Sequence, residues 1–164
     1  MNRVHAAGLA ILLAGFAPAR AADSGRAPDF TLRTVDGGLF TLSQHFGQGP
    51  IILHFWATWC LPCMAEMKAL RQIQEARPGV GLQILSLSVD DNKTAGKVKS
   101  HVQARRYPFT VLMDGEKKVF DAFHASNMPT LFLLDPRGNI VYAHEGFKSG
   151  DEKALMARLD AMQP

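Results

Sequence analysis

Ile51-Ile52-Leu53-His54-Phe55-Trp56-Ala57 runs directly into Thr58-Trp59-Cys60-Leu61-Pro62-Cys63, and this junction decides the fold class. The first seven residues are mostly apolar on both faces, as in a central parallel strand. Cys60 to Arg77 then predicts a helix stopped by Pro78-Gly79, with Met67, Leu70 and Ile73 or Gln74 near helical spacing on one face. A Cys-x-x-Cys therefore opens a helix straight after a buried strand. Residues i and i+3 share a helix face, so Cys60 and Cys63 can close a small disulfide ring. At the helix N-terminus, unpaired N–H groups and the macrodipole stabilise an anion, which lowers the pKa expected for the Cys60 thiol. Cys60 is thus read as the attacking sulfur and the deeper Cys63 as the resolving one. Pro62 suits the first turn, where it has no N–H to waste.

The cysteines admit other readings. As a fixed structural bond, so short a loop contributes little unfolded-state entropy. As a metal site, two thiolates suit Cu(I), whereas zinc needs two further ligands and no His or Cys stands at finger-like spacing. Two cysteines in 164 residues exclude a disulfide framework and a four-thiolate zinc site. With 47% hydrophobic and 20% charged residues the chain reads as globular rather than disordered.

Outward from the junction the elements alternate. Phe30 to Leu42 reads as a hairpin around Asp36-Gly37-Gly38. Leu82 to Val89 is a second buried strand, Thr94 to Arg106 a polar helix, Phe109 to Met113 a strand and Glu116 to Phe123 a short helix. Thr130 to Asp135 and Ile140 to His144 form a hairpin around Pro136-Arg137-Gly138-Asn139, and Ser149-x-x-Glu152 is a capping box opening a last helix to Met162. The alternation predicts an α/β fold whose parallel strands carry helices on both faces, followed by antiparallel strands.

The N-terminus reads as a secretory signal over 1–21, ahead of a domain over 22–164. Arg3 gives the charged start, Val4 to Ala19 the apolar stretch, and Ala19-Arg20-Ala21 a cleavage site. An uncleaved anchor is the rival, but a span wants about 20 apolar residues, and Pro18 interrupts this one. The net charge of +3 falls to +1 without Arg3 and Arg20. Lys117-Lys118 and Arg105-Arg106 are isolated pairs, so no nucleic-acid partner is expected.

Through Trp56-Ala57-Thr58-Trp59-Cys60-Leu61-Pro62-Cys63 the chain resembles the exported thioredoxin-like proteins of the TlpA/ResA/DsbE (CcmG) group, a resemblance that runs from about Ala27 onward. Ala27-Pro28-Asp29-Phe30 resembles the family's entry segment. Asn127-Met128-Pro129-Thr130-Leu131-Phe132-Leu133-Leu134-Asp135 resembles its cis-proline loop and following strand, and Arg137-Gly138-Asn139-Ile140-Val141 its hairpin. The resemblance implies a thioredoxin fold, a central mixed sheet flanked by helices, with an N-terminal hairpin and an insertion around 94–123. It implies periplasmic thiol–disulfide exchange, usually reducing, in cytochrome c maturation or in keeping exported thiols reduced. It also implies a membrane thiol-disulfide transporter as electron donor, exported protein thiols or disulfides as partners, and no cofactor beyond the cysteine pair. A monomer is expected.

The resemblance assigns Pro129 as the cis-proline, against a plain trans-proline starting a strand. Met128 then offers backbone groups to an extended substrate by strand addition, with Trp59 and Pro62 beside the sulfurs. Glu66, one turn past Cys63, matches a glutamate that could accept the Cys63 proton; a solvated helix glutamate is the alternative. His54 stands where cytoplasmic thioredoxins hold a buried aspartate, and reads first as a hydrogen-bonded core histidine, second as a proton shuttle. Trp56 reads as packing, and Met64 and Met67 as core or groove. Lys68 replaces a kink-forming proline, and Asn127-Met128 replaces the usual Gly-Val. A Cu(I) metallochaperone of thioredoxin fold is the alternative function, and a peroxiredoxin is excluded because no Pro-x-x-x-Thr-x-x-Cys precedes either cysteine.

Overall fold

The computed structural model describes residues 25–91 and 93–162; the signal or anchor expected over 1–21 lies outside them. Two antiparallel strands come first, β1 (Thr31–Thr34) and β2 (Leu39–Thr41). Then follow β3 (Ile51–Trp56), α1 (Leu61–Ala76), β4 (Gln83–Ser88), α2 (Ala95–Arg105), β5 (Thr110–Met113) and α3 (Lys118–Ala122). β6 (Thr130–Leu134), β7 (Ile140–Glu145) and α4 (Asp151–Asp160) end the described chain. The strands form one mixed sheet in the order β2-β1-β5-β4-β3-β6-β7. β3, β4 and β5 are parallel, while β6 returns antiparallel to β3 and β7 antiparallel to β6.

Every residue of β3 is buried, because the strand is central and covered on both faces. On one face Ile52 packs with Leu70 and Ile73 of α1, Leu131 and Leu133 of β6, and Leu155 and Leu159 of α4. On the other, Phe55 meets Phe120, Phe123 and Phe132 at ring-centroid distances of 5.5, 5.9 and 6.1 Å. The expected insertion thus supplies α2, α3 and a strand, β5, that joins β4 to the N-terminal hairpin. α1 is continuous past Lys68. Between α1 and β4, Gly81 (φ 67°) passes against the segment that leads into β3: a Cβ on Gly81 would stand 2.2 Å from the Gln48 carbonyl oxygen.

One local expectation fails. The Ser149-x-x-Glu152 capping box does not form, because Gly150 at φ 108° takes the N-cap of α4 and no side chain caps the helix. Ser149 is left one residue outside, and Glu152 instead accepts from the Gly150 N–H at 2.8 Å.

Candidate active site

β3 delivers the chain to the cysteine pair through a turn held from below. Asp90, just past β4 and 1% exposed, accepts from the Thr58 N–H at 2.8 Å, the Thr58 hydroxyl at 2.6 Å and the Ser88 hydroxyl at 2.8 Å. These bonds clamp the segment before Cys60 to the neighbouring parallel strand. Removing the carboxylate leaves buried donors unpaired, so Asp90→Ala should lower the unfolding free energy by about 2–3 kcal/mol. Urea unfolding reads this directly, and an unchanged midpoint would refute the clamp.

Cys60 is the N-cap of α1, and its sulfur accepts from the Cys63 N–H at 3.3 Å. The two sulfurs are bonded, with Cα atoms 5.3 Å apart. Pro62 lies in the first turn and is exposed. Cys63 is fully buried and Cys60 is 6% exposed, so Cys60 is less open than a helix-end position suggests. The apolar side chains flanking it are the open ones, Trp59 at 62% and Leu61 at 83%. The Met128–Pro129 peptide bond is cis. Met128 is half-buried against the cluster that contains both cysteines. The loop before it is tied to β7, where the Glu145 carboxylate accepts from the Ser126 N–H and the Asn127 side-chain amide, each at 3.0 Å.

Glu66 is 2% exposed, which rules out the solvated alternative. His144 Nε2 of β7 donates to its Oε1 at 2.7 Å. His54 Nε2 of β3 lies 3.1 Å from its Oε2, out of line for a full hydrogen bond. Burial pushes the Glu66 carboxyl up, but the two imidazoles outweigh burial, His144 the more strongly, and hold it at about 2. A carboxylate held this low is a weak base, poorly matched to accepting the Cys63 proton. His54 is fully buried, and its Nδ1 is 3.2 Å from the Ser86 hydroxyl on β4, which fits the hydrogen-bonded core histidine.

His144 was not among the residues picked out by motif. Its signal was the alternation of Ile140-Val141-Tyr142-Ala143-His144-Glu145, which turns Tyr142 and His144 to the half-buried face. Met67 is fully buried and Met64 half-buried against the core. Among the described residues no group of three His, Cys, Asp or Glu is disposed to hold a metal ion, and no helix is long and apolar enough to cross a membrane.

Comparison with known proteins places this geometry. Residues 24–143 match the AhpC/TSA family. The chain is 33% identical over 115 residues to the thiol-disulfide oxidoreductase ResA of Bacillus subtilis, covering 70% of this chain but only 63% of that protein's length. It is 31% identical over 138 residues to ResA of Geobacillus kaustophilus, covering 84% of this chain and 76% of the relative. Among solved structures, a candidate thiol:disulfide interchange protein DsbE from Chlorobium tepidum superposes with a TM-score of 0.78 at 28% identity, over 85% of this chain and 96% of that one.

Proposed function

The chain belongs to the AhpC/TSA family of thioredoxin-like proteins and, within it, to the ResA-type thiol-disulfide oxidoreductases, and from that premise we propose that it is an exported disulfide reductase working in the periplasm. The observation that carries the reading is Cys60 at the N-cap of α1, bonded to Cys63 and bordered by exposed Trp59 and Leu61. In the reduced enzyme the Cys60 thiolate attacks one sulfur of a substrate disulfide. That bond breaks, a Cys60–substrate disulfide forms, and the displaced sulfur takes a proton from solvent. Cys63 then loses its thiol proton and attacks Cys60 Sγ. The Cys60–Cys63 bond forms, and the second substrate sulfur leaves as a thiolate and is protonated. The enzyme is oxidised by two electrons and the substrate reduced by two.

Trp59, Leu61, Pro62 and Met128 supply the apolar surface for an extended substrate segment, and Pro129 fixes the loop that presents Met128. Leu61-Pro62 carries no charge or imidazole to stabilise the thiolate further, which favours a reductant over a strong oxidant. Exported proteins with oxidised cysteines, including those of cytochrome c maturation, are the substrates this reading names. A membrane thiol-disulfide transporter is the donor, and the monomer is the working form. The experiment is a Cys63→Ala protein expressed with its export signal. Expected is a set of mixed disulfides on Cys60 with exported proteins, released by dithiothreitol and identified by mass spectrometry. Recovery of the variant wholly as free thiol would overturn the reading.

A further inference from the structure

Glu66 lies where three elements converge. His54 on β3 pairs in register with Leu131 on β6, and Leu131 with His144 on β7, so the two histidines stand in one row across the sheet. Glu66 reaches down from α1 between them, one turn past Cys63, on the side where α1 packs on the sheet. A carboxylate only accepts, so the ring nitrogen bonded to it carries the hydrogen, and in a neutral imidazole the other nitrogen is then bare. For His54, whose Nε2 is out of line with Glu66, Nδ1 meets the Ser86 hydroxyl and is not bare. For His144 the other nitrogen is Nδ1, which is buried and has no hydrogen-bond partner among the described residues. His144 is also the more accessible of the two, with its side chain 16% exposed against 0% for His54.

We propose that His144, acting through Glu66, is a positioning residue that sets the charge beneath the cysteine pair by taking up one proton at its bare Nδ1. With both histidines neutral the cluster carries the single negative charge of Glu66. With His144 protonated it carries none. A thiolate forming at Cys60, at the start of the same helix, is opposed by the first state and not by the second. Proton uptake at His144 therefore accompanies thiolate formation in the reduced enzyme and is reversed when the disulfide closes. Among the described residues the further ionisable group shown to act on the cluster is Tyr142 on β7, its ring 5.6 Å from that of His144. Tyr142 is held above its ordinary value chiefly by burial, and Glu66 is one of the charges acting on it. From α4, Asp151 and Arg158 act on Tyr142, with the Arg158 guanidinium 5.8 Å from its ring. The inference rests on the thiol–disulfide reading, but its test needs no substrate.

Two measurements decide it. Nitrogen NMR of the wild-type imidazoles should find His144 as the Nε2–H form at high pH and doubly protonated at low pH. Its midpoint should be higher in the dithiol than in the disulfide protein. An Nδ1–H form at high pH, or one midpoint shared by both redox states, would overturn the proposal, and neither outcome depends on a variant folding. The second measurement is alkylation of reduced Cys60 by iodoacetamide from about pH 5 to about pH 9, comparing wild type with His144→Gln, whose amide can still donate to Glu66. The variant should react about tenfold more slowly at the acid end and converge on wild type at the alkaline end. A rate ratio constant with pH marks a purely structural role and would also overturn it. A protein that shows both signatures but traps no exported partner through Cys63→Ala would sink the functional reading and leave this one standing.

Discussion

Cys60→Ser should lose disulfide reduction by about a thousandfold or more, in line with removal of a reacting nucleophile. Turbidity from insulin reduced at the expense of dithiothreitol measures it. The size follows from the geometry of the helix start. Cys60 is the N-cap of α1, its sulfur accepts from the Cys63 N–H, and Cys63 is fully buried. Approach to the pair is thus through Cys60, and a substrate disulfide cannot bypass it to reach Cys63. A serine alkoxide is not available at neutral pH, and the one cysteine that remains in the chain is the buried Cys63. Cys63→Ala should differ in kind, because the first exchange still runs and only resolution stops, so a stable mixed disulfide accumulates. If Cys60→Ser reduced insulin at the wild-type rate, with Cys63→Ala inert, the roles of the two sulfurs would be reversed.

The second large effect is on stability in acid. Glu66 is held at about 2 in the folded protein against an ordinary value of 4.5. Between those values the unfolded chain binds more protons than the folded one, so stability falls as pH falls. The contribution of Glu66 is complete above about pH 4.5 and lost as pH drops toward 2, and amounts to about 3 kcal/mol. Urea unfolding of wild type across that window should show the loss, and Glu66→Gln should lack that part of the slope. Parallel curves for the two proteins would refute the assignment. Glu66→Ala at neutral pH should cost about 1–3 kcal/mol, because it leaves the His144 Nε2–H without its acceptor. The glutamate is therefore a structural tie from α1 to His144 of β7, with His54 of β3 at 3.1 Å on its other side.

The strands and helices were legible because each carries its own period. The all-buried run of β3, the helical spacing of Met67, Leu70 and Ile73, and the Asp36-Gly37-Gly38 turn are local signals, and the observed elements follow them within a few residues. The capping box failed for a local reason too. A glycine at positive φ competes for the cap position and wins, which a pattern of side chains one to four apart does not register. Glu66 was picked out by its place relative to Cys63, but whether it is solvated or buried depends on what α1 packs against, and neither histidine is near it in sequence. His144 lies 78 residues from Glu66, and Asp90 lies 32 from Thr58.

The sequence by itself determined the cysteine pair, the helix start that carries it and the alternation of strands and helices, since each is a signal within a few residues, while the thioredoxin-like sheet was implied by the resemblance. Only the tertiary structure decided the environment of that couple. The β3-β6-β7 pairing brings His54 and His144 into one row, and α1 lowers Glu66 between them away from water. Register between strands distant in sequence is set by packing across the whole sheet. A carboxylate takes its charge state from the groups packed around it, which no short stretch of chain contains.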